Sequence, residues 1–287
     1  MAIPARPPAI AGQFYEGTGA ALARQIERCF LDPRGPGSLP SRHRTPARSL
    51  RAAVVPHAAY PYSGAIAALA YARVAAERAP ETVLVLGLDH FGRGRGAALS
   101  DRPWLTPLGP VPVDHDLVRA LARGPVSVDE AAQVEEYSIE VQLPFLQYVL
   151  PRPKFVALQV SFGRFDYLRE IARVVGAAVK DRDVLLLAST DFSHHVPART
   201  AERLDRMAID AIVARDARRL YETVVENEIS MCGIAPTTVL VEALAEEQLA
   251  GRLLRWGHSG EVEPMRDVVG YAALALEAPV VPAPPVK

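Results

Sequence analysis

The sequence predicts an α/β fold: one domain over residues 1–287, with a central, mostly parallel β-sheet flanked by helices on both faces. Three observations carry this. Short apolar runs alternate with segments of helical periodicity along most of the chain, the pattern of a parallel sheet covered by crossover helices. Three of those runs, Val54-Val55-Pro56-His57, Val83 to His90 and Val184 to His195, end in imidazoles just past the strand. No composition break or internal repeat marks a second domain.

Taken in order, residues 1–17 form an N-terminal arm, followed by a helix near 18–30 with Leu22, Ile26 and Cys29 on one face. The Pro/Gly/Arg-rich stretch 32–48 is read as a flexible surface loop. Strand 51–56 leads into an alanine-rich helix ending near Arg78, and strand 82–88 leads into the glycine loop 91–96. A short strand at 96–99 and a helix at 114–123 follow. A helix at 136–149 has to accommodate Pro144 by a kink or a break. Strand 154–160, helix 166–180 and the strand before His194 come next, then helices at 199–214, 217–227 and 236–248. Strands 252–256 and 268–276 close the fold, and 278–287 is a Pro/Val tail expected to fray.

The chain is 49% hydrophobic and 23% charged with a net charge of −1, which argues against electrostatic capture of nucleic acid or of an anionic membrane. At 287 residues it can bury roughly 75% of its unfolded surface, so its core needs no disulfide or metal staple. No apolar stretch approaches the ~20 residues of a spanning helix, and the start lacks a signal-peptide core, so a cytoplasmic location is expected. Of the two cysteines, Cys29 reads as a core residue and both as reduced thiols.

The chemistry-bearing residues gather at strand ends, the rim where α/β sheets bind ligands. His57 and His90 follow apolar strands, beside small or glycine-rich loops. Cys232 stands at a turn just before a helix, a position that lowers a thiol's pKa and favours thiolate. Two imidazoles and a thiolate make a three-ligand metal site with an open position, suited to copper, zinc or iron. Taken singly, each histidine reads better as a strand cap bonded to backbone, and Cys232 as a small buried hydrophobe. In Thr190-Asp191-Phe192-Ser193-His194-His195, Asp191 can orient His194 and raise its basicity for general acid–base work, or cap a turn.

Other constellations are weaker. Neither Ser63 nor Ser193 sits in a Gly-x-Ser-x-Gly elbow, so a serine hydrolase is disfavoured. The glycines of 91–96 miss the spacing of a nucleotide loop. His43, His115 and His258 have no partners in sequence. The acidic start of 135–146 is accounted for by a helix dipole, with Ser138 as cap, while Glu140 and Gln142 are left open as pocket residues.

Several segments together resemble the Memo-like proteins, whose prokaryotic members are called AmmeMemoRadiSam system protein B. They are Ala11-Gly12-Gln13-Phe14-Tyr15, Pro56-His57 through Gly64, Leu86-Gly87-Leu88-Asp89-His90, and Glu136-Tyr137-Ser138-Ile139-Glu140 through Leu146. Ser189 through His194, Met231-Cys232-Gly233 and Val269-Gly270-Tyr271-Ala272 complete the set, spread in order over nearly the whole chain.

The resemblance implies a fold like that of class III extradiol dioxygenases. It implies His57 and His90 as metal ligands, with Cys232 where those dioxygenases carry a glutamate, and His194 as the acid–base residue with Asp191 in the same pocket. It implies copper or iron and redox chemistry, and an AMMECR1-like protein and a radical-SAM protein as partners. Tyr137 stands where relatives commonly carry histidine. Asp89 puts a carboxylate beside His90 that could bind metal or add charge.

The leading expectation is a metal-dependent oxidoreductase of dioxygenase-like ancestry. The alternative is a non-catalytic copper- or iron-binding or peptide-recognition scaffold. Tyr15, Tyr60, Tyr62 and Phe192 would line the pocket for a small aromatic substrate or a peptide side chain.

Overall fold

Continuous apolar runs with no alternation must be buried on both faces, and the central strands of the computed structural model are built that way. It describes residues 4–41 and 43–279. The chain runs α1 (Gly19–Leu31), β1 (Leu50–Val55), α2 (Tyr60–Ala76), β2 (Thr82–Leu88) and β3 (Ala97–Leu99). The hairpin β4 (Trp104–Thr106) and β5 (Gly109–Val111) precedes α3 (His115–Leu121), β6 (Val126–Val128) and α4 (Glu130–Gln133). Next come α5 (Leu143–Val149), β7 (Phe155–Val160), α6 (Phe165–Val179), β8 (Val184–Ser189) and β9 (His194–Pro197). The last elements are α7 (Ala198–Val213), α8 (Ala217–Glu226), α9 (Ile234–Ala243), β10 (Ala250–His258) and β11 (Asp267–Glu277).

The main sheet has the order β10-β11-β1-β8-β2-β7-β3-β6, with β9 added on β11. Its centre, β1-β8-β2-β7, is parallel, and every residue of β2, β7 and β8 is buried. Antiparallel pairs appear towards the edges, where β11 meets β1 and β10, and β3 meets β7. The path from β1 through α2 to β2 runs across the sheet in the opposite sense to that from β7 through α6 to β8. Right-handed crossovers therefore put α2 and α6 on opposite faces. α1 and α5 pack with α2, while α9 packs with α6 and α8.

Four details differ from the sequence expectations. Residues 136–149 are not one helix: a 3₁₀ turn at Glu140–Gln142 leads into α5, where Pro144 sits in the first turn. Proline is tolerated there because its missing N–H has no helical partner, so it opens the helix rather than kinking it. The last helix of the 236–248 prediction starts earlier, at Ile234, and ends at Ala243. The hairpin β4–β5 and strands β6 and β9 are too short to show periodicity in sequence. The irregular stretch 32–48 is tied down at several points: Arg44 donates to the carbonyls of Val74 and Glu77, and Arg48 pairs with Asp183. Of the tail expected to fray, residues 280–287 lie outside the described residues, as do residues 1–3 of the arm.

Candidate metal centre

The order β1-β8-β2 sets three parallel strands side by side, so the residues just past their carboxyl ends meet above the sheet. His57 follows β1, Asp191 follows β8 and His90 follows β2. The turn before α9 brings Cys232 to the same place. Ligand atoms of His57, His90 and Cys232 all lie within 4.8 Å of one another, the one such group of metal-capable side chains among the described residues. His57 Nε2 is 3.4 Å from Cys232 Sγ, and the two imidazoles meet edge to face at 5.2 Å.

The hydrogen-bond network fixes the tautomers. Ser189 Oγ donates its single proton to Ser138 O (2.7 Å) and accepts from Gln142 Nε2 (2.8 Å), so its contact with His57 Nδ1 (3.0 Å) must be donated by the ring. His90 Nδ1 donates to the Glu136 carboxylate (2.9 Å) and His194 Nδ1 to the Ser230 carbonyl (2.8 Å). In the neutral form all three rings thus carry the proton on Nδ1 and present Nε2 as the free lone pair. A metal-ligating histidine shows this arrangement, with its far nitrogen held by a carboxylate or an oxygen acceptor. The donor set and its supports fit a transition-metal ion.

Two glycines let the site close up. A Cβ on Gly87 would meet Ile139 Cγ1 and Ser138 Oγ at 2.5 Å, and one on Gly233 would meet Thr190 Cβ at 2.4 Å. The first approach lets Ser138 Oγ accept the Leu88 N–H (3.1 Å) and brings Glu136 onto His90. The second seats the Cys232 turn on the end of β8, where Thr190 Oγ1 accepts the Gly233 N–H (2.9 Å).

Burial dominates the electrostatics. It pushes the His57 pKa down to about 3, with a charged His90 opposing protonation further. Burial raises Asp191 to about 6, against the backbone hydrogen bond from His57 and the charge of His194, which lower it. Glu136 is pushed up by burial but held below its ordinary value overall by His90 and by two backbone N–H donors. The Tyr137 phenol is pushed up by burial and by Glu136.

Cys232 departs from expectation. Its position before α9 predicted a lowered thiol, but burial and the neighbouring Asp191 charge raise it, outweighing the Asp191 N–H donated to Sγ at 3.2 Å. A thiol so placed would ionise only where a cation shared its charge.

Other predicted residues fall elsewhere. Asp191 accepts from the His57 N–H (2.9 Å) and sets Oδ2 4.0 Å from His57 Nε2; the partner holding His194 is Ser230, not Asp191. His195 is the extra residue of a bulge between β9 and β11, at φ +56°, and its ring is exposed. Asp89 stands outside the cluster of donor atoms: its carboxylate caps the 91–96 loop through Arg93 N, Gly94 N and Ser161 Oγ.

Of the expected pocket aromatics, Tyr15 and Tyr60 are core residues bonded to Glu140 and Val141 O, and Phe192 is fully buried. Tyr62 Oη donates to Glu263. The rings that border the imidazoles are Tyr137, stacked on His90 at 4.4 Å, and Phe91 and Phe14 packed edge-on against it.

Sequence reasoning missed Glu136, Ser189 and Ser230 as supports, and read Glu136 as a dipole effect. The signal available was the density of acids in Glu135-Glu136-Tyr137-Ser138-Ile139-Glu140, more than one helix start needs. Gln142 does reach the site, through Pro56 O (3.0 Å) and Ser189 Oγ. Glu140 instead holds the N-terminal arm, accepting from Arg6, Ala9 N, Ile10 N and Tyr15.

Comparison with known proteins agrees with this architecture. The family model described as Memo-like protein matches residues 6–275. A MEMO1 family protein of Methanopyrus kandleri is 40% identical, the match covering 94% of this chain and 98% of that one. One from Methanothermobacter thermautotrophicus is 37% identical over 94% and 99%. An uncharacterized protein of Escherichia coli K12, at 15% identity, shares the fold with a TM-score of 0.54, covering 78% of this chain and 99% of its own. With an ordered family match over nearly its whole length and relatives at this identity, the chain belongs to the Memo-like protein family.

Proposed function

We propose that the protein binds a single transition-metal ion, copper or iron, through His57 Nε2, His90 Nε2 and Cys232 Sγ, and acts as a metal-dependent oxidoreductase. The observation that carries this is the convergence of three donor atoms within 4.8 Å, both imidazoles having their Nδ1 protons engaged elsewhere. A bound ion of this kind would supply redox and Lewis-acid chemistry at an open coordination position.

The chain's own residues do the rest. Glu136 and Ser189 hold the ligand rings, and Gln142 ties Ser189 to the end of β1. His194, with Nδ1 committed to Ser230, offers a bare Nε2 as proton acceptor. Asp191, raised to about 6, exchanges its proton near neutral pH. Phe91, Phe14 and Tyr137 give the mouth an apolar wall suited to a small aromatic substrate.

The test is elemental analysis of protein purified without chelator, beside a His57→Ala/His90→Ala double variant. About one equivalent of copper or iron, lost in the variant, is expected. No uptake on aerobic or anaerobic reconstitution would overturn the reading. Stoichiometric binding without oxygen consumption on any catechol-like substrate would reduce it to a metal-binding scaffold.

A further inference from the structure

Tyr137 touches His90 in an unusual way. The rings are stacked, with centroids 4.4 Å apart and planes 11° from parallel, and Tyr137 Oη is 3.2 Å from His90 Nε2. Two rings this close and this parallel must overlap face to face. Oη therefore approaches Nε2 over the face of the imidazole. The nitrogen's lone pair lies in the ring plane and points elsewhere, so the phenol leaves it open and stands beside it. Phe14 (5.0 Å, 61°) and Phe91 (6.4 Å, 72°) pack edge-on against Tyr137 and hold it there. The His57 ring closes the group at 6.0 Å.

A hydroxyl fixed beside the lone pair, not on it, is placed to serve what an ion would hold next. We propose that the Tyr137 O–H donates a hydrogen bond to a small anionic or oxygen-donor ligand in the open position of the His57–His90–Cys232 site. This rests on the metal reading above and adds the class of ligand. The site then prefers ligands that present a lone pair towards Tyr137, since a ligand without one leaves a half-buried hydroxyl unsatisfied.

The experiment loads wild-type and Tyr137→Phe protein with cobalt(II) and titrates each with azide, following the visible absorption of the ion. Both proteins are expected to take up cobalt equally, with azide bound about tenfold or more weakly by Tyr137→Phe, the worth of a hydrogen bond to a charged acceptor. Equal azide affinity in the two would overturn the proposal and leave the metal reading standing. Loss of cobalt in Tyr137→Phe would also overturn it, by making the phenol a ligand or a prop for the site. A wild-type protein that takes up no cobalt would remove this proposal together with the reading beneath it.

Discussion

Glu136 grips His90 at two points. Its carboxylate accepts the ring Nδ1–H at 2.9 Å and the backbone N–H of the same residue at 2.8 Å. One buried acid thus fixes the position, the rotation and the tautomer of a proposed ligand. Glu136→Gln keeps the shape and removes the charge, so metal affinity measured by chelator competition should fall about 10–100-fold. An unchanged affinity would make Glu136 a purely structural acid.

Glu140 is fully buried and receives Arg6, Tyr15 and the N–H groups of Ala9 and Ile10. Arg6 also donates to Gln133 O and Glu136 O and lies 3.9 Å over the Trp104 ring. Glu140→Ala strands that guanidinium without its counter-charge, at a cost of about 3–5 kcal/mol. Urea unfolding should register the loss, and limited proteolysis should cut first within residues 4–17.

Cys29 tests the core by pH. Burial raises its thiol from the ordinary 9.0 to about 12. A group raised on folding contributes stability that is complete below the unfolded value and is lost as pH climbs through the folded one. Between pH 9 and 10.5 this thiol alone should remove about 1.6 kcal/mol, the slope rising from about 0.7 towards about 1.4 kcal/mol per pH unit as the unfolded thiol completes its ionisation. Cys29→Ala should lose that much less stability over the same interval. Parallel pH profiles for the two proteins would refute the assignment.

Gly87 is the point where β2 admits the 138–139 segment. Gly87→Ala drives a methyl into the buried side chains of Ile139 and Ser138, an overlap at 2.5 Å. A loss of about 1–3 kcal/mol in thermal or denaturant unfolding is expected. A fully stable variant would show that the segment can retreat without cost.

Strands that end in imidazoles were legible because burial on both faces writes itself into a continuous apolar run. The central elements and the rim positions of His57, His90 and His194 follow from that local pattern alone. The turn before a helix pointed to Cys232 as their companion, and the family motifs agreed. What the sequence could not settle was which loops face each other. The acids of 135–140 read as one helix start, yet Glu136 serves His90 while Glu140 holds the arm. Asp191 sits three residues from His194 but bonds to the His57 backbone, and Ser230 takes the His194 ring instead.

Nearness along the chain sets strand and helix, because their periods are local. Side-chain partners and proton positions depend on distances between segments 36 to 134 residues apart along the chain. The raised Cys232 thiol makes the same point: its place before a helix argued for thiolate, and only the packed surroundings gave burial the larger effect.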